Sequence, residues 1–370
     1  IGSNLGNRIL LLQKAIFEIG NITGEIRQVS AIYETPAWGF DGEDFLNVCL
    51  ELQTLLPPEE LLAKLLAIET DFGRKRKESD SYQSRTLDID IIYYEKDIID
   101  TASLTVPHPK MQDRKFILKP LADITPQFYH PIFNKDTRNL LQECKDKSII
   151  TKQVKRLFKN RHTFFASLEY VAIEGNIGAG KTTLATKISE DFNAKLILER
   201  FAENPFLPNF YKDQDRYAFP LEMSFLADRY QQFTEDTNQL DLFKSFMVSD
   251  YDIYKSLIFA KVTLQQNEFD LYRKVFNFMY KEVKKPKIYV YLYQTTERLL
   301  QQIKQRGRDY EQNIELTYLE KINRGYLDFL KTYPKEHQLI IDVSELDFVT
   351  NDRDYQTILG KIEDFTLNYL

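Results

Sequence analysis

Glu174-Gly175-Asn176-Ile177-Gly178-Ala179-Gly180-Lys181-Thr182-Thr183 lies near the middle of the chain, between an apolar run, Tyr170 to Ile173, and a helical pattern, Leu184 to Phe192. The stretch matches G-x-x-x-x-G-K-[ST] in full. Glycines at this spacing let successive backbone N–H groups curl around phosphate oxygens at the start of a helix, where peptide dipoles favour an anion. Gly175, Asn176, Ile177, Gly178, Ala179, Gly180, Lys181, Thr182 and Thr183 are therefore the predicted cradle for ATP. Lys181 is directed at the β/γ-phosphates and Thr182 at Mg²⁺. Strand, loop and helix in this order predict an α/β unit, a parallel sheet flanked by helices.

Outward from this loop, the 370 residues are long for one domain, and two are expected. A hydrophobic content of 43% with 28% charge suits two ordinary globular cores. The net charge of −6 speaks against a general nucleic-acid binder and leaves small molecules as the expected partners. Two cysteines, Cys49 and Cys144, cannot frame a disulfide-stapled fold and point to a reducing, cytoplasmic setting. No apolar run approaches the roughly 20 residues that span a bilayer, so no membrane partner is expected. No signal peptide is visible, and the chain begins at Ile1.

The first half alternates strand and helix signals. Asn7 to Ile19 reads as a helix, Ile26 to Tyr33 and Phe45 to Thr54 as strands, and Glu59 to Phe72 as a helix opened by Pro57-Pro58. A basic loop, Gly73 to Ser84, leads into a predicted strand, Thr86 to Tyr94. From Asp136 to Arg161 the composition turns charged, which predicts a last helix running into a linker; a continuous solvated helix over 148–160 is the alternative. The expected division is a first domain over 1–160, a linker over 161–168 and a second domain over 169–370. In the second half, strands are predicted at Tyr170–Ile173, Lys195–Leu198, Phe243–Val248, Lys287–Leu292 and Leu339–Asp342.

Asp88 and Asp90 are two apart in the predicted strand, so both carboxylates leave one face while Leu87, Ile89 and Ile91 face a core. Two such carboxylates repel unless cations lie between them, and Mg²⁺ bridging a polyphosphate resolves this. Arg74, Arg76, Lys77 and Arg85 place cations upstream, and His108 and Arg114 add phosphate-directed donors downstream. On its own, D-x-D equally describes an edge strand with a solvated face.

Here a family resemblance becomes specific. I-G-S-N-L-G-N (Ile1–Asn7), Y-E-T-P (Tyr33–Pro36), F-L-N (Phe45–Asn47), R-T-L-D-I-D-I from Arg85 and L-T-V-P-H-P from Leu104 resemble the 6-hydroxymethyl-7,8-dihydropterin pyrophosphokinases of folate synthesis, over roughly residues 1 to 155. The resemblance implies an α+β, ferredoxin-like fold and transfer of pyrophosphate from ATP to the pterin hydroxymethyl group. By it, Asp88 and Asp90 hold Mg²⁺, and Arg74, Arg76, Arg85, His108 and Arg114 handle phosphates. Phe45 and Phe116 stack on the pterin, and Asn47 binds its edge with the backbone of Thr35, Pro36 and Trp38. Two flat side chains bracketing a flat heteroaromatic is sound packing. Two departures stand out: Tyr82-Gln83-Ser84-Arg85 replaces the usual Trp-x-Pro-Arg, and most of a first, central strand is expected ahead of Ile1.

The second half must supply an acceptor for the phosphoryl group. Glu199 follows the second predicted strand, beside the phosphate loop, where a carboxylate can take a proton from an attacking hydroxyl. Glu222, Phe225 and Arg229 share one helical face and can bracket a base; a structural ion pair is the alternative. Arg306-Gly307-Arg308 makes a cationic lid for spread phosphoryl charge, or a solvated basic helix end.

G-N-I-G-A-G-K-T-T, E-R-F-A-E-N-P-F-L (Glu199–Leu207), F-P-L-E-M-S-F-L-A-D-R (Phe219–Arg229), S-D-Y (Ser249–Tyr251) and R-G-R-D-Y-E (Arg306–Glu311) resemble the deoxynucleoside kinases, nearest the bacterial deoxyadenosine/deoxyguanosine group, over about 168–370. By that resemblance Glu199 is the general base on the 5′-hydroxyl and Glu311 binds the 3′-hydroxyl. Glu222 and Arg229 hold the base, Arg306 and Arg308 the phosphates, and Asp250 assists Mg²⁺. The family's acidic-Arg-Ser run is absent at Ser249-Asp250-Tyr251, and no arginine occurs between Arg229 and Arg273; Lys255 can restore the charge but not the arginine's fork. Glu222 stands where glutamine is usual, and as an acceptor of base donors it favours a deoxypurine; the resemblance puts deoxyadenosine ahead of deoxyguanosine.

Two enzymes on one chain is thus the expectation: a bifunctional transferase feeding DNA precursor supply. The alternatives are a nucleoside monophosphate acceptor, or a second half that only binds nucleotide, as a regulatory or dimerising module. A homodimer through the kinase half is expected from the resemblance.

Overall fold

A computed structural model of the chain describes residues 1–37, 39–74, 83–200, 204–210, 212–238, 243–308, 311 and 314–369. It forms two compact units, Ile1–Phe164 and Phe165–Leu370.

In the first unit, β1 (Gly2–Ser3), α1 (Arg8–Thr23), β2 (Glu25–Val29), β3 (Tyr33–Thr35), β4 (Phe45–Asn47), β5 (Leu50–Gln53) and α2 (Pro58–Asp71) come first. β6 (Ile99–Asp100), β7 (Thr105–Val106), α3 (Lys115–Ile124), α4 (Thr137–Glu143) and β8 (Thr151–Lys152) follow. The sheet runs β1-β4-β3-β8, antiparallel throughout, with β2 and β5 as a separate antiparallel pair. This is the expected α+β class. Asn7 starts α1 by accepting the Leu10 N–H on its side chain at 3.2 Å. Leu12, Ala15, Ile16 and Ile19 recur at helical spacing and are buried in one cluster with Leu61, Leu65 and Ile68 of α2. Truncating a side chain such as Ile16 to alanine would cost about 2–5 kcal/mol in such a core.

Two expectations for this unit fail. The predicted strand Thr86–Tyr94 reduces to an isolated bridge between Asp88 and Gly2. Its alternation is present, with Leu87 and Ile89 buried and Asp90 exposed. Residues 89–94 line a cavity of about 760 Å³ together with Ile1 and Leu50–Thr54. The other is the extent of the last helix. It ends at Glu143, and the chain returns as β8 beside β3, with Gln153 N–H donating to the Ile32 carbonyl at 2.9 Å. Gln13 then ties down this segment, accepting from Phe158 N–H at 2.7 Å and donating to its carbonyl at 2.8 Å. A charged composition concealed a strand paired within the first unit.

α5 (Arg161–Ala166) crosses the division. The second unit continues with β9 (Tyr170–Gly175), α6 (Lys181–Phe192), β10 (Lys195–Ile197), α7 (Leu207–Phe210), α8 (Gln214–Asn238) and β11 (Met247–Ser249). It ends with α9 (Tyr254–Thr263), α10 (Gln266–Tyr280), β12 (Ile288–Tyr293), α11 (Thr296–Arg306), α12 (Leu316–Leu330), β13 (Gln338–Asp342) and α13 (Asp352–Tyr369). Five parallel strands run in the order β10-β11-β9-β12-β13, the predicted α/β sheet. Every residue of β9 is buried, which is why it reads as an unbroken apolar run rather than an alternating one. Gly178 and Gly180 hold φ of +85° and +86°. A Cβ on Gly180 would also come within 2.6 Å of the Phe348 ring, so the loop needs glycine there twice over. No described helix is long and apolar enough to cross a membrane.

Candidate active sites

In the second unit the phosphate loop runs from β9 into α6, which Gly180 caps. Lys181 lies across it, Nζ donating to the Asn176 carbonyl at 2.9 Å. Burial, with Lys255 nearby, pulls its ammonium down to about 8 against Glu174, Glu199 and Asp250. Thr182 Oγ1 donates to Asp250 Oδ2 at 2.5 Å, and Asp250 Oδ1 accepts the Glu199 N–H at 2.8 Å. A hydroxyl and a carboxylate paired beside a phosphate loop fit Mg²⁺, which keeps several waters and needs few protein ligands.

Glu199 is clamped from two helices. Its Oε1 accepts from Arg229 Nε at 3.0 Å and Nη2 at 2.5 Å, and its Oε2 from Lys255 Nζ at 2.5 Å. Burial alone would raise its pKa; Lys255 and Arg229 outweigh that and hold the carboxyl well below the usual carboxylate range. Lys255 thus gives Glu199 a second cation beside Arg229. Lys255→Met should lower kcat by about 10- to 100-fold. The Glu199 pKa would rise toward its ordinary value, so activity should be lost as pH falls through the new value, at higher pH than in the wild type. A pH–rate profile showing no such displacement would remove Lys255 from this role.

Arg229 differs from the sequence reading. Its remaining Nη1 donates to Ser256 Oγ at 2.6 Å, so its polar hydrogens point at Glu199 and Ser256, and its guanidinium stacks 4.8 Å from the Phe225 ring centroid. Glu222 is 2% exposed. Its Oε1 accepts from Thr263 Oγ1 at 3.0 Å, while its Oε2 has no partner among the described residues. Burial pushes this carboxyl up to about 7. Arg306 and Arg308 both pair with Glu311, the latter at 3.3 Å. Lys181, Thr182, Glu199, Glu222, Arg229, Asp250, Arg306, Arg308 and Glu311 share the wall of one cavity of about 110 Å³.

Three supporting contacts escaped the sequence. Glu174, fully buried, accepts from Gly175 N–H, Asp252 N–H and Tyr326 hydroxyl at 3.1, 2.7 and 2.9 Å, tying the loop to α12. Asn176 Nδ2 donates to the Leu319 carbonyl and Asn323 Oδ1, both at 2.8 Å. Thr263 holds Glu222. Glu174 was visible, a carboxylate in an apolar strand; the other contacts span too many residues to leave a local signal.

In the first unit, Asp88 Oδ1 receives Arg74 Nη1 and Arg85 Nη1, each at 2.8 Å. Arg74 also pairs with Glu69, whose Oε1 accepts the Ile89 N–H at 2.7 Å. Burial raises the Glu69 pKa against the pull of Arg74. Burial lowers that of His108, opposed by Asp90, while Arg114 lowers it further. Asp88, Asp90, His108 and Arg114 are therefore neighbours. Asn47 Nδ2 donates to Thr35 Oγ1 at 2.8 Å, and a Cβ on Gly2 would lie 2.9 Å from Asn47 Oδ1. Pro36 is exposed; Phe45 and Phe116 are half-buried, with Arg114 5.7 Å from the Phe116 ring centroid. Trp38, Arg76, Lys77 and Tyr82 lie outside the described residues. The described residues hold no cluster of three or more metal-ligating His, Cys, Asp or Glu side chains. Asp88 and Asp90 fit Mg²⁺ nonetheless, because that ion is commonly held by one or two carboxylates plus substrate phosphates.

The family model for deoxynucleoside kinase matches residues 171–367, and that for 7,8-dihydro-6-hydroxymethylpterin-pyrophosphokinase matches residues 1–126. A deoxyguanosine kinase of Bacillus subtilis is 38% identical over 200 residues, covering 53% of this chain and 96% of that protein. A deoxyadenosine kinase of Dictyostelium discoideum is 31% identical over 199 residues, covering 52% of this chain and 79% of that protein. For the first half, a 2-amino-4-hydroxy-6-hydroxymethyldihydropteridine pyrophosphokinase of Aquifex aeolicus is 40% identical over 144 residues, covering 39% of this chain and 88% of that protein. The chain belongs to both families, a hydroxymethylpterin pyrophosphokinase joined to a deoxynucleoside kinase.

Proposed function

We infer that the chain is a bifunctional transferase. Its first unit moves pyrophosphate from ATP to 6-hydroxymethyl-7,8-dihydropterin, and its second moves the ATP γ-phosphoryl to the 5′-hydroxyl of a deoxypurine nucleoside, deoxyadenosine ahead of deoxyguanosine. The observation that carries the second activity is Glu199 held by Arg229 and Lys255 on the wall that also bears Lys181. A neutral sugar hydroxyl needs such a carboxylate; a phosphate acceptor does not. Lys181 and the loop amides would bind the β/γ-phosphates, and Arg306 and Arg308 would stabilise the transferring group, releasing Glu311 to the 3′-hydroxyl. Mg²⁺ would neutralise phosphate charge, held by Thr182 and Asp250 in this unit and by Asp88 and Asp90 in the first.

The test separates the products. With MgATP, the pterin alone should yield AMP, and a deoxynucleoside alone should yield ADP plus its monophosphate. No ADP above the no-acceptor control would leave the second unit a binding module.

We also infer a cytoplasmic homodimer formed through the kinase half. Leu271 and Phe278 of α10, a helical i, i+7 pair, are 54% and 80% exposed, which suits a partner helix better than water. Phe278→Glu should convert the dimer to monomer in sedimentation equilibrium; a wild-type protein of monomer mass would refute the interface.

A further inference from the structure

Every other charged side chain on the kinase cavity wall has a partner of opposite charge or a hydrogen-bonded neighbour, but Glu222 keeps one oxygen buried and unengaged among the described residues. Arg229, on the same helix, and Lys255 of α9 both pair with Glu199 at 2.5 Å; their charges still pull the Glu222 pKa down, but burial outweighs them. Tyr272 of α10 reaches only its backbone, the hydroxyl donating to the Glu222 carbonyl at 3.4 Å. Across the cavity Arg306, Arg308 and Glu311 satisfy one another. Leu207, Phe210, Leu221 and Phe225 supply the apolar wall near it. A buried carboxyl on this wall, one oxygen unengaged and the other holding the Thr263 hydroxyl, can meet a ligand in either of two protonation states.

The two states present different hydrogen-bonding edges. The neutral acid is one donor and one acceptor, which complements adenine: its hydroxyl gives to N1 and its carbonyl takes from the N6 amino group. The carboxylate is two acceptors, which complements guanine's N1–H and N2 amino group. The neutral acid can also pair with guanine, giving to O6 and taking from N1–H, whereas the carboxylate has no hydrogen to give and leaves adenine N1 unpaired. Resting on the reading of this unit as a deoxynucleoside kinase, we propose that Glu222 gates adenine by its own protonation: the neutral acid admits either purine, the carboxylate guanine alone. The midpoint, pushed up to about 7 by burial, lies where small changes in pH move the balance. Affinity for deoxyadenosine is therefore fullest below the midpoint and falls relative to that for deoxyguanosine as pH rises through it.

The full chain is tested without ATP, by calorimetric titration with deoxyadenosine and with deoxyguanosine from about pH 6 to about pH 8. The ratio of the two dissociation constants should shift by on the order of 10-fold toward deoxyguanosine across that range. Glu222→Gln, fixed as a donor and an acceptor, should bind both purines in a ratio that is flat with pH. Buffers of different ionisation enthalpy give a second readout that needs no variant: deoxyadenosine should bind with proton uptake and deoxyguanosine without it. A flat ratio in the wild type, equal proton exchange for both purines, or a sloping ratio in Glu222→Gln would overturn the proposal. Purine-selective proton exchange with no ADP formed on adding MgATP would support the Glu222 assignment while removing the kinase reading. Phosphorylation of both purines at a pH-independent ratio would do the reverse.

Discussion

Glu199→Gln should lower kcat for deoxynucleoside phosphorylation by about 10²- to 10⁴-fold and leave pterin-dependent AMP formation unchanged. The size follows from what the clamp does. Two cations hold Glu199 ionised, so it is always ready to accept a proton, yet they also make it weakly basic. A loose phosphoryl-transfer transition state tolerates this, because the hydroxyl proton leaves late and the carboxylate chiefly orients the oxygen. Glutamine can still accept from Arg229, but its amide would face the Lys255 ammonium donor to donor, so orientation is lost with the charge. Both cations would then be buried without their anion, which predicts lower thermal stability as well. The rate is therefore read as kcat on protein shown to be folded by circular dichroism. A kcat within about threefold of wild type would exclude Glu199 as the base.

Asp88→Asn has its effect in the other unit, where pterin pyrophosphorylation should fall by about 10³-fold, several kcal/mol of lost metal and phosphate organisation. Arg74 and Arg85 converge on one oxygen of this side chain at 2.8 Å, so the aspartate orders the arginines that would grip the triphosphate as well as offering a metal ligand. Asparagine keeps the shape and abolishes the charge. Raising Mg²⁺ should recover part of the rate if the metal contact dominates and none if the arginines do. Wild-type AMP formation with the pterin would remove Asp88 from the site, and deoxynucleoside phosphorylation serves as the internal control.

The phosphate loop was legible in the sequence because its chemistry is local. Gly178, Gly180, Lys181 and Thr182 act through backbone shape and reach set by their own spacing. β9 was legible too, since a strand buried on both faces leaves a continuous apolar run. Residues 86–94 show the limit: alternation records which side chains face inward, not whether a neighbouring strand is there to pair. Arg229 shows another. Its face on α8 was readable, but which acid it meets depends on where β10 and α9 deliver Glu199 and Ser256. Lys255 was a guess about charge that became a contact only through the fold, and Thr263 on Glu222 had no sequence signal at all.

The division between Phe164 and Phe165 makes two catalysts from a single translation product. Every molecule synthesised brings one copy of each, so their stoichiometry is fixed at birth and no change in expression alters it. A cell needing more folate precursor relative to salvaged deoxynucleotide can adjust only turnover per site, by substrate level, feedback or acidity. Degradation is shared in the same way: a lesion that unfolds either half exposes the whole polypeptide to proteolysis, so a stability defect in one activity depletes the other.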